Sequence, residues 1–327
     1  MKSDFLDRIF SVTPAKFEEL TLDVFRFQAK HSSVYAQYIS HLNVDVNSIK
    51  SIEQIPFLPI SLFRSHRVLV DNDKYEVVFS SSGTTGAESS KHYVKSLAVY
   101  EQSFLEGFRI FYGDVSEYCI LALLPSYLER EGSSLVYMAN RLIADSQNPQ
   151  SGFFLHNPNE LIEQLEQLEA NRQPTILLGV TFALLELASK HNLKLKSTIV
   201  METGGMKGRG KELIRSEVHT ILKQSLGLSS VHSEYGMTEL LSQAYSKGEG
   251  VFFTPPWMRI RVRDPYDPFS YLPNERSGAL NIIDLANINS CSFVQTDDLG
   301  VLHVNGSFEV SGRMDGSQIR GCNLLVL

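Results

Sequence analysis

Residues 77 to 94, VVFSSSGTTGAESSKHYV, join an apolar run to a dense cluster of small hydroxyls and glycines. Val77, Val78 and Phe79 read as a strand end, and Ser80, Ser81, Ser82, Gly83, Thr84, Thr85 and Gly86 follow at once. Glycine lets successive backbone N–H groups turn inward, and each hydroxyl adds a donor, so the loop has the chemistry of a phosphate cradle. The same composition also makes an ordinary turn or linker. No Gly-Lys-Ser/Thr follows at the Walker spacing, so the loop is not a P-loop. Lys91 stands close behind it.

Three further segments weigh on that choice. METGGMKGRG (201–210) is a strand that ends in paired glycines, Gly204 and Gly205. SEYGMTELLS (233–242) carries Tyr235, Gly236, Thr238 and Glu239. TDDLG (296–300) is followed by SGRMDGSQIRG (311–321), which contains Arg313. Each alone reads as a turn, a capped loop or a solvated arginine. Together and in this order they resemble the adenylate-forming superfamily of acyl-CoA synthetases, phenylacetate-CoA ligases and luciferase-like enzymes. The shared patterns are a Ser/Thr/Gly phosphate loop, a Tyr-Gly-x-Thr-Glu box, a Thr-Gly-Asp box and a Gly-Arg-x-Asp hinge, and the resemblance runs from residue 75 to residue 321.

The resemblance implies a role for each residue. Ser81, Ser82, Thr84, Thr85 and the backbone at Gly83 and Gly86 hold the β- and γ-phosphates of ATP. Gly204 and Gly205 pass close to the adenine or the acyl end. Tyr235 packs on adenine, Gly236 leaves room for the acid, and Thr238 touches the α-phosphate. Glu239 holds Mg²⁺, a hard cation that prefers carboxylate and phosphate oxygen. Asp298 takes the ribose hydroxyls and Arg313 meets the same ribose. Such a site converts a carboxylate to an acyl-adenylate by attack on the α-phosphorus, which needs alignment and charge neutralisation more than covalent catalysis. One departure is that the usual Thr-Gly-Asp reads Thr296-Asp297-Asp298, which adds a negative charge beside the ribose position.

The superfamily hinge is normally followed by a small domain with a catalytic lysine, whereas this sequence ends at RGCNLLVL. The expectation is therefore the large domain without the small one, with Lys91, Lys207, Arg320 or a partner supplying the missing cation. A near-terminal cysteine resembles the LuxE-type acyl-protein synthetases, in which such a cysteine carries the acyl group as a thioester. Cys322 is the expected carrier. Arg320 is near enough to favour its thiolate. The nine-residue separation from Arg313 spans at most about 30 Å when extended. Cys119 and Cys291 stand in or beside strand-like text and read as small buried hydrophobes.

These residues need elements to hold them. Residues 1–50 show apolar spacing of 3 and 4 and read as helical. Pro56 and Pro59 make the next segment extended or turning. Beyond the loop, LAVYEQSFLEGFRIF is a helix with Leu97, Tyr100, Phe104, Leu105, Phe108 and Phe111 on one face. Strands are expected at 118–124, 175–180 and 197–203, with helices at 160–170, 182–191 and 210–227. This alternation predicts layered α/β structure with mostly parallel pairing. Past residue 250, short alternating runs predict a small antiparallel sheet or barrel. The expected organisation is a single adenylate-forming domain: a helical lead-in about 1–60, an α/β core about 61–249, a β-rich end piece about 250–321 and a carrier tail 322–327.

The composition is that of a globular protein: 327 residues, 43% hydrophobic and 20% charged. A formal charge of −7 with no basic run argues against a duplex-DNA binder. No apolar stretch reaches the length of about 20 residues that a spanning helix needs, and the N-terminus lacks a secretory pattern. Three cysteines without CxxC spacing fit a reduced cytoplasmic protein. The expected activity is ATP-dependent activation of a carboxylic acid, a fatty acid foremost, and its loading on Cys322 or an acyl-accepting reductase, transferase or carrier. The rivals are an acyl ligase to coenzyme A or a carrier protein, and a non-catalytic nucleotide-binding subunit.

Overall fold

The computed structural model describes residues 2–71, 74–81, 89–125, 132–204 and 213–314. The chain divides into two compact units, Met1–Lys74 with Pro256–Leu327, and Tyr75–Pro255.

The first unit opens with α1 (Lys2–Phe10), α2 (Phe17–His31) and α3 (Ser33–His41). The helical lead-in is cut where the sequence forbids continuation. Pro14 starts a separate 3₁₀ turn, and Ser32 is extended at φ −99°, ψ 109°. Helix α2 buries Phe17, Leu20, Thr21, Val24, Phe25 and Gln28, the stripe a 3.6 period places inward. The proline-containing segment forms β1 (Leu58–Pro59) and the single turn α4 (Leu62–Ser65).

The second unit carries the α/β alternation. In chain order it contains β2 (Val77–Ser80), β3 (Lys91–Val94), α5 (Leu97–Tyr112), β4 (Cys119–Leu123), α6 (Ser134–Ser146), β5 (Gly152–Phe153) and α7 (Pro158–Ala170). Then come β6 (Thr175–Val180), α8 (Thr181–Lys190), β7 (Thr198–Thr203), α9 (Arg215–Leu226), β8 (His232–Tyr235), β9 (Ala244–Ser246) and β10 (Val251–Phe252). The main sheet has the order β5-β4-β6-β7-β8-β9. Its first five strands run parallel, and β9 returns antiparallel at the edge. Strands β4 and β6 are buried along their whole length, which is why they read as unbroken apolar text.

Some details differ from the sequence expectation. Helix α6 was not foreseen, although Ser133 caps it by accepting from the Val136 amide at 3.4 Å. Helix α9 is seen from Arg215, with Ile214 before it extended, and the expected start at 210 lies outside the described residues. It ends as expected at Gly227, which takes the left-handed conformation at φ 68°. On α5, Leu97, Leu105 and Phe111 are only half-buried, and Val99, Ser103, Gly107 and Tyr112 complete the inward face around Tyr100, Phe104 and Phe108.

The first unit is completed by β11 (Met258–Arg263), β12 (Ser277–Asp284), β13 (Phe293–Leu302) and β14 (Phe308–Arg313), an antiparallel meander. Strand β1 pairs with β13 in parallel. Lead-in and end piece share one core: Phe293 meets Phe25, Tyr35 and Phe57 at centroid distances of 6.1, 6.0 and 5.9 Å. Burying each such ring is worth about 1.5–3 kcal/mol. Gln28 adds a polar tie, donating to the carbonyls of Asn287 and Ile288 at 3.0 Å each. Among the described residues no helix is long and apolar enough to cross a membrane.

Candidate active site

The hydroxyl-rich segment leaves β2 and returns through β3, an antiparallel hairpin in which Ser80 faces Lys91. Its neck is closed by Ser81. The Ser81 amide donates to the Ser90 carbonyl at 3.0 Å, and the Ser90 amide donates to Ser81 Oγ at 3.0 Å. Ser82, Gly83, Thr84, Thr85 and Gly86 lie outside the described residues. Lys91 is exposed, while Lys207 and Arg320 are also outside the described residues.

The Tyr-Gly-x-Thr-Glu segment is the connection between β8 and β9. Tyr235 ends β8 opposite Ala244 of β9. Its ring is buried at 5.9 Å from Phe252. Gly236 is exposed at its backbone, yet a Cβ there would lie 2.5 Å from Glu234 Oε1 and 3.4 Å from Gln243 Cγ. Thr238 is half-buried and Glu239 is buried. The His92 ring, itself buried on β3, bonds through Nδ1 to the Thr238 carbonyl at 2.8 Å. The hairpin that carries the hydroxyl loop is thus tied to the box although 146 positions separate the two residues.

Gly204 follows β7 with φ 71°, a conformation that side chains other than glycine rarely adopt. Gly205 lies outside the described residues. The Gly204 carbonyl accepts from Thr181 Oγ1 at 2.6 Å, and the same hydroxyl reaches Glu202 Oε2 at 3.0 Å. Glu202 also accepts from Ser233 Oγ at 2.9 Å and Arg215 Nε at 3.2 Å, with His219 Nε2 at 3.7 Å. Burial opposes its charge. The hydrogen bond from His219, the Arg215 cation and the Ser233 and Thr181 hydroxyls outweigh burial and hold the carboxyl below its usual range.

On the opposite face of the same strand pair, Thr203 Oγ1 donates a short hydrogen bond to Glu234 Oε2. The register pairs Thr203 with Glu234, and Glu202 with Ser233. Because successive side chains alternate, the two acids point to opposite sides of the sheet. Burial first, and also the Glu202 charge, push the Glu234 carboxyl up to about 7 against the Thr203 bond.

In the other unit, β13 and β14 place Asp298 opposite Arg313. Arg313 Nε donates to Asp298 Oδ1 at 3.0 Å; Asp298 is nearly buried while the guanidinium is 61% exposed. The Asp298 amide donates to Thr296 Oγ1 at 3.1 Å. Strand alternation buries Thr296 and Asp298 on one side and turns Asp297 to the other. There Asp297 lies within electrostatic reach of buried Arg263. Arg263 donates to Asn281 Oδ1 at 3.1 Å and to the Thr296 carbonyl at 3.0 Å. The extra negative charge of the Thr-Asp-Asp box therefore has a cation of its own.

Cys119 and Cys291 are both buried free thiols, as their strand context predicts. Burial raises both, the Cys291 thiol to about 12, so neither is a ready thiolate. Cys322 lies outside the described residues. None of His92, Glu202 and Glu234 was singled out from the sequence. The available signal for Glu202 was an acid inside a strand-like apolar run, STIVMET, whereas the polar HSEY gives none for Glu234. His232 faces Tyr112, whose hydroxyl is 3.2 Å from Nδ1; burial and then Lys247 lower its pKa to about 4.

Comparison with known proteins agrees with this architecture. The model of the family described as "Acyl-protein synthetase, LuxE" matches residues 11–104. The long-chain-fatty-acid--luciferin-component ligase of Vibrio harveyi is 21% identical, with 97% of this chain and 91% of that protein aligned. The Photorhabdus luminescens protein of the same name is 38% identical over 97 residues, which cover 27% of this chain and 83% of that protein. Among solved structures, an open conformation of 2-hydroxyisobutyryl-CoA ligase in complex with 2-HIB-AMP and CoA superposes with a TM-score of 0.66 at 14% identity, covering 95% of this chain and 78% of that one. ATP-bound MatB from Rhodopseudomonas palustris gives 0.55 at 18% identity over 75% of this chain and about half, 49%, of its own. The two structures share the fold, that of the large domain of adenylate-forming ligases. With the fold, the ordered motifs and the relatives in agreement, the chain belongs to the LuxE family of acyl-protein synthetases, which are ligases.

Proposed function

We propose that this chain activates a carboxylic acid with ATP, forming acyl-AMP and pyrophosphate, and then transfers the acyl group to the thiol of Cys322. The observation that carries the first step is the His92–Thr238 bond, which joins the hairpin of the hydroxyl loop to the Tyr-Gly-x-Thr-Glu box. The strands that flank the hydroxyl loop and the box that carries Thr238 are thereby braced together. In this reading Ser81, Ser82, Thr84, Thr85 and the backbone of Gly83 and Gly86 receive the β- and γ-phosphates. Gly204 and Gly205 border the adenine, and Tyr235 packs against it. Gly236 borders the acid. Asp298, whose Oδ1 accepts from Arg313, is the residue assigned to the ribose, because a carboxylate can accept from hydroxyls.

The buried oxygen donor Glu239 fits Mg²⁺, which favours one or two carboxylates together with phosphate oxygens. When bound there, the ion neutralises phosphate charge during displacement. The acid's carboxylate oxygen bonds to the α-phosphorus as the bond to the β-phosphate oxygen breaks. A Cys322 thiolate then attacks the acyl carbon, and AMP departs with the former carboxylate oxygen, leaving a thioester. The two curated relatives are named as ligases of long-chain fatty acids, and a fatty acid is the acid proposed here. The final acceptor is an acyl-accepting partner protein. Free thiols at Cys119 and Cys291 suit a reducing, cytoplasmic setting.

ATP–pyrophosphate exchange by the whole chain, across straight-chain acids from acetate to palmitate, tests this reading. Exchange that needs both acid and Mg²⁺, strongest with long chains, is expected. Its absence with every acid would reject the stand-alone enzyme in favour of a nucleotide-binding subunit.

A further inference from the structure

Glu234 immediately precedes Tyr235 and Gly236, and its carboxyl lies in the protein interior. One oxygen, Oε2, accepts from Thr203 of β7. The other, Oε1, sits over Gly236, where the Gln243 side chain also converges. Gln243 is 5% exposed, and its Oε1 has no hydrogen-bond partner among the described residues. A buried acceptor left unpaired is costly. An ionised Glu234 has no proton to offer that carbonyl, and among the described residues its donor is the Thr203 hydroxyl. A neutral carboxylic acid resolves this, because its O–H supplies the donor that the Gln243 carbonyl lacks.

The surroundings favour the neutral form. Glu202, on the adjoining strand, is held ionised by its own donors and repels a second negative charge. Tyr100 and Tyr112 of α5 and Tyr245 of β9 interact electrostatically with Glu234. Burial raises all three phenols, so they are uncharged at neutral pH. On the same segment stand His232, held neutral by burial, and Glu239. Among the described residues, the influences that shift Glu234 are burial, Thr203 and Glu202, with no counterpart to the Arg215 that compensates Glu202.

We propose that Glu234 is a positioning residue that works as a neutral acid. It accepts from Thr203 and donates to Gln243, thereby clamping the Tyr235–Gly236 turn to the end of β7 at Thr203–Gly204. Loss of its proton releases the clamp. In this arrangement Gly236 is a glycine because the Glu234 carboxyl occupies the space a side chain would need. The effect on catalysis rests on the adenylation proposed above, whereas the protonation itself does not.

The test compares the full-length protein with its Glu234→Gln variant, a neutral isostere that keeps one donor and one acceptor. A carboxyl raised on folding stabilises fully below its unfolded pKa and loses that contribution as pH rises through its folded pKa. The wild-type Tm should therefore fall relative to Glu234→Gln between pH about 4.5 and about 7, and the gap should then level off. In exchange assays the wild-type KM for ATP should rise several-fold from pH 6 to pH 8, with little change in the variant. Parallel Tm curves, or a variant that loses stability relative to wild type as pH rises, would overturn the proposal. Infrared spectra of the wild type with ¹³C-labelled glutamate provide a reading that needs no variant. A protonated-carboxyl band that disappears with a midpoint near neutrality is expected, and its absence at pH 6 rejects the neutral acid. If no exchange occurs at any pH, the adenylation reading fails while the Tm and infrared results still decide the state of Glu234.

Discussion

Two adjacent acids on β13 make opposite predictions for nucleotide binding. Asp298 faces Arg313 across the strand pair, and Asp297 turns the other way toward buried Arg263. Asp298→Ala should weaken ATP binding and Asp297→Ala should leave it within about threefold, less than 1 kcal/mol. The magnitude follows from what the carboxylate can do. A hydrogen bond to a charged group contributes about 1.5–3 kcal/mol, and each 1.4 kcal/mol is tenfold in affinity. Two ribose hydroxyls on Asp298 thus set a loss of at least about tenfold, and on the order of a hundredfold when both bonds are good. The cost in stability should be smaller. Arg313 is 61% exposed, so the ion pair itself is worth at most about 1 kcal/mol. Titration calorimetry with ATP and Mg²⁺ in the absence of acid measures the affinities directly, and Tm reports the fold. Equal losses at both positions, or a larger loss at Asp297, would mean that the ribose assignment is placed on the wrong residue.

Two more outcomes are expected. Glu239→Gln removes charge but little shape, so it should lower exchange at least about tenfold at limiting Mg²⁺, recover partly at high Mg²⁺, and shift Tm little; unchanged Mg²⁺ dependence would remove Glu239 from the metal site. Cys322→Ser should still exchange pyrophosphate but acquire no hydroxylamine-labile label from radioactive acid and ATP, and label persisting on that variant would move the acyl group elsewhere.

Which parts of the molecule could be read from the sequence follows from how locally each is encoded. Strands β4, β6 and β7 were legible because parallel strands buried on both faces carry unbroken apolar runs. The end of α9 was legible because Gly227 takes a conformation that few other residues accept. Its expected start at 210 lies outside the described residues. Strand β3, KHYV, is too short and too mixed to stand out, and it exists through its pairing with β2. The candidate site divides in the same way. Residues whose chemistry shows in a motif, such as Tyr235, Thr238, Asp298 and Arg313, could be named from order and type. His92 and Glu234 could not, because their partners are 146 and 31 positions away. A hydrogen bond at such separation leaves no periodicity to detect.

The two strand-end acids also decide where pH can act. Glu202 has four donors gathered around it from α8, α9 and β8, so its charge is held and its bonds to Arg215 and Thr181 persist across the neutral range. That face of the sheet holds Gly204 through the neutral range. On the other face, among the described residues, Glu234 has Thr203 as its donor and a burial that penalises charge. His232, two residues before Glu234, would be the ordinary suspect for any loss of activity near neutrality. Burial has already brought its pKa to about 4, so it does not change charge there. On the proposal for Glu234, a fall in activity through pH 7 comes from the face that carries it, and His232→Gln should leave that fall in place while Glu234→Gln removes it.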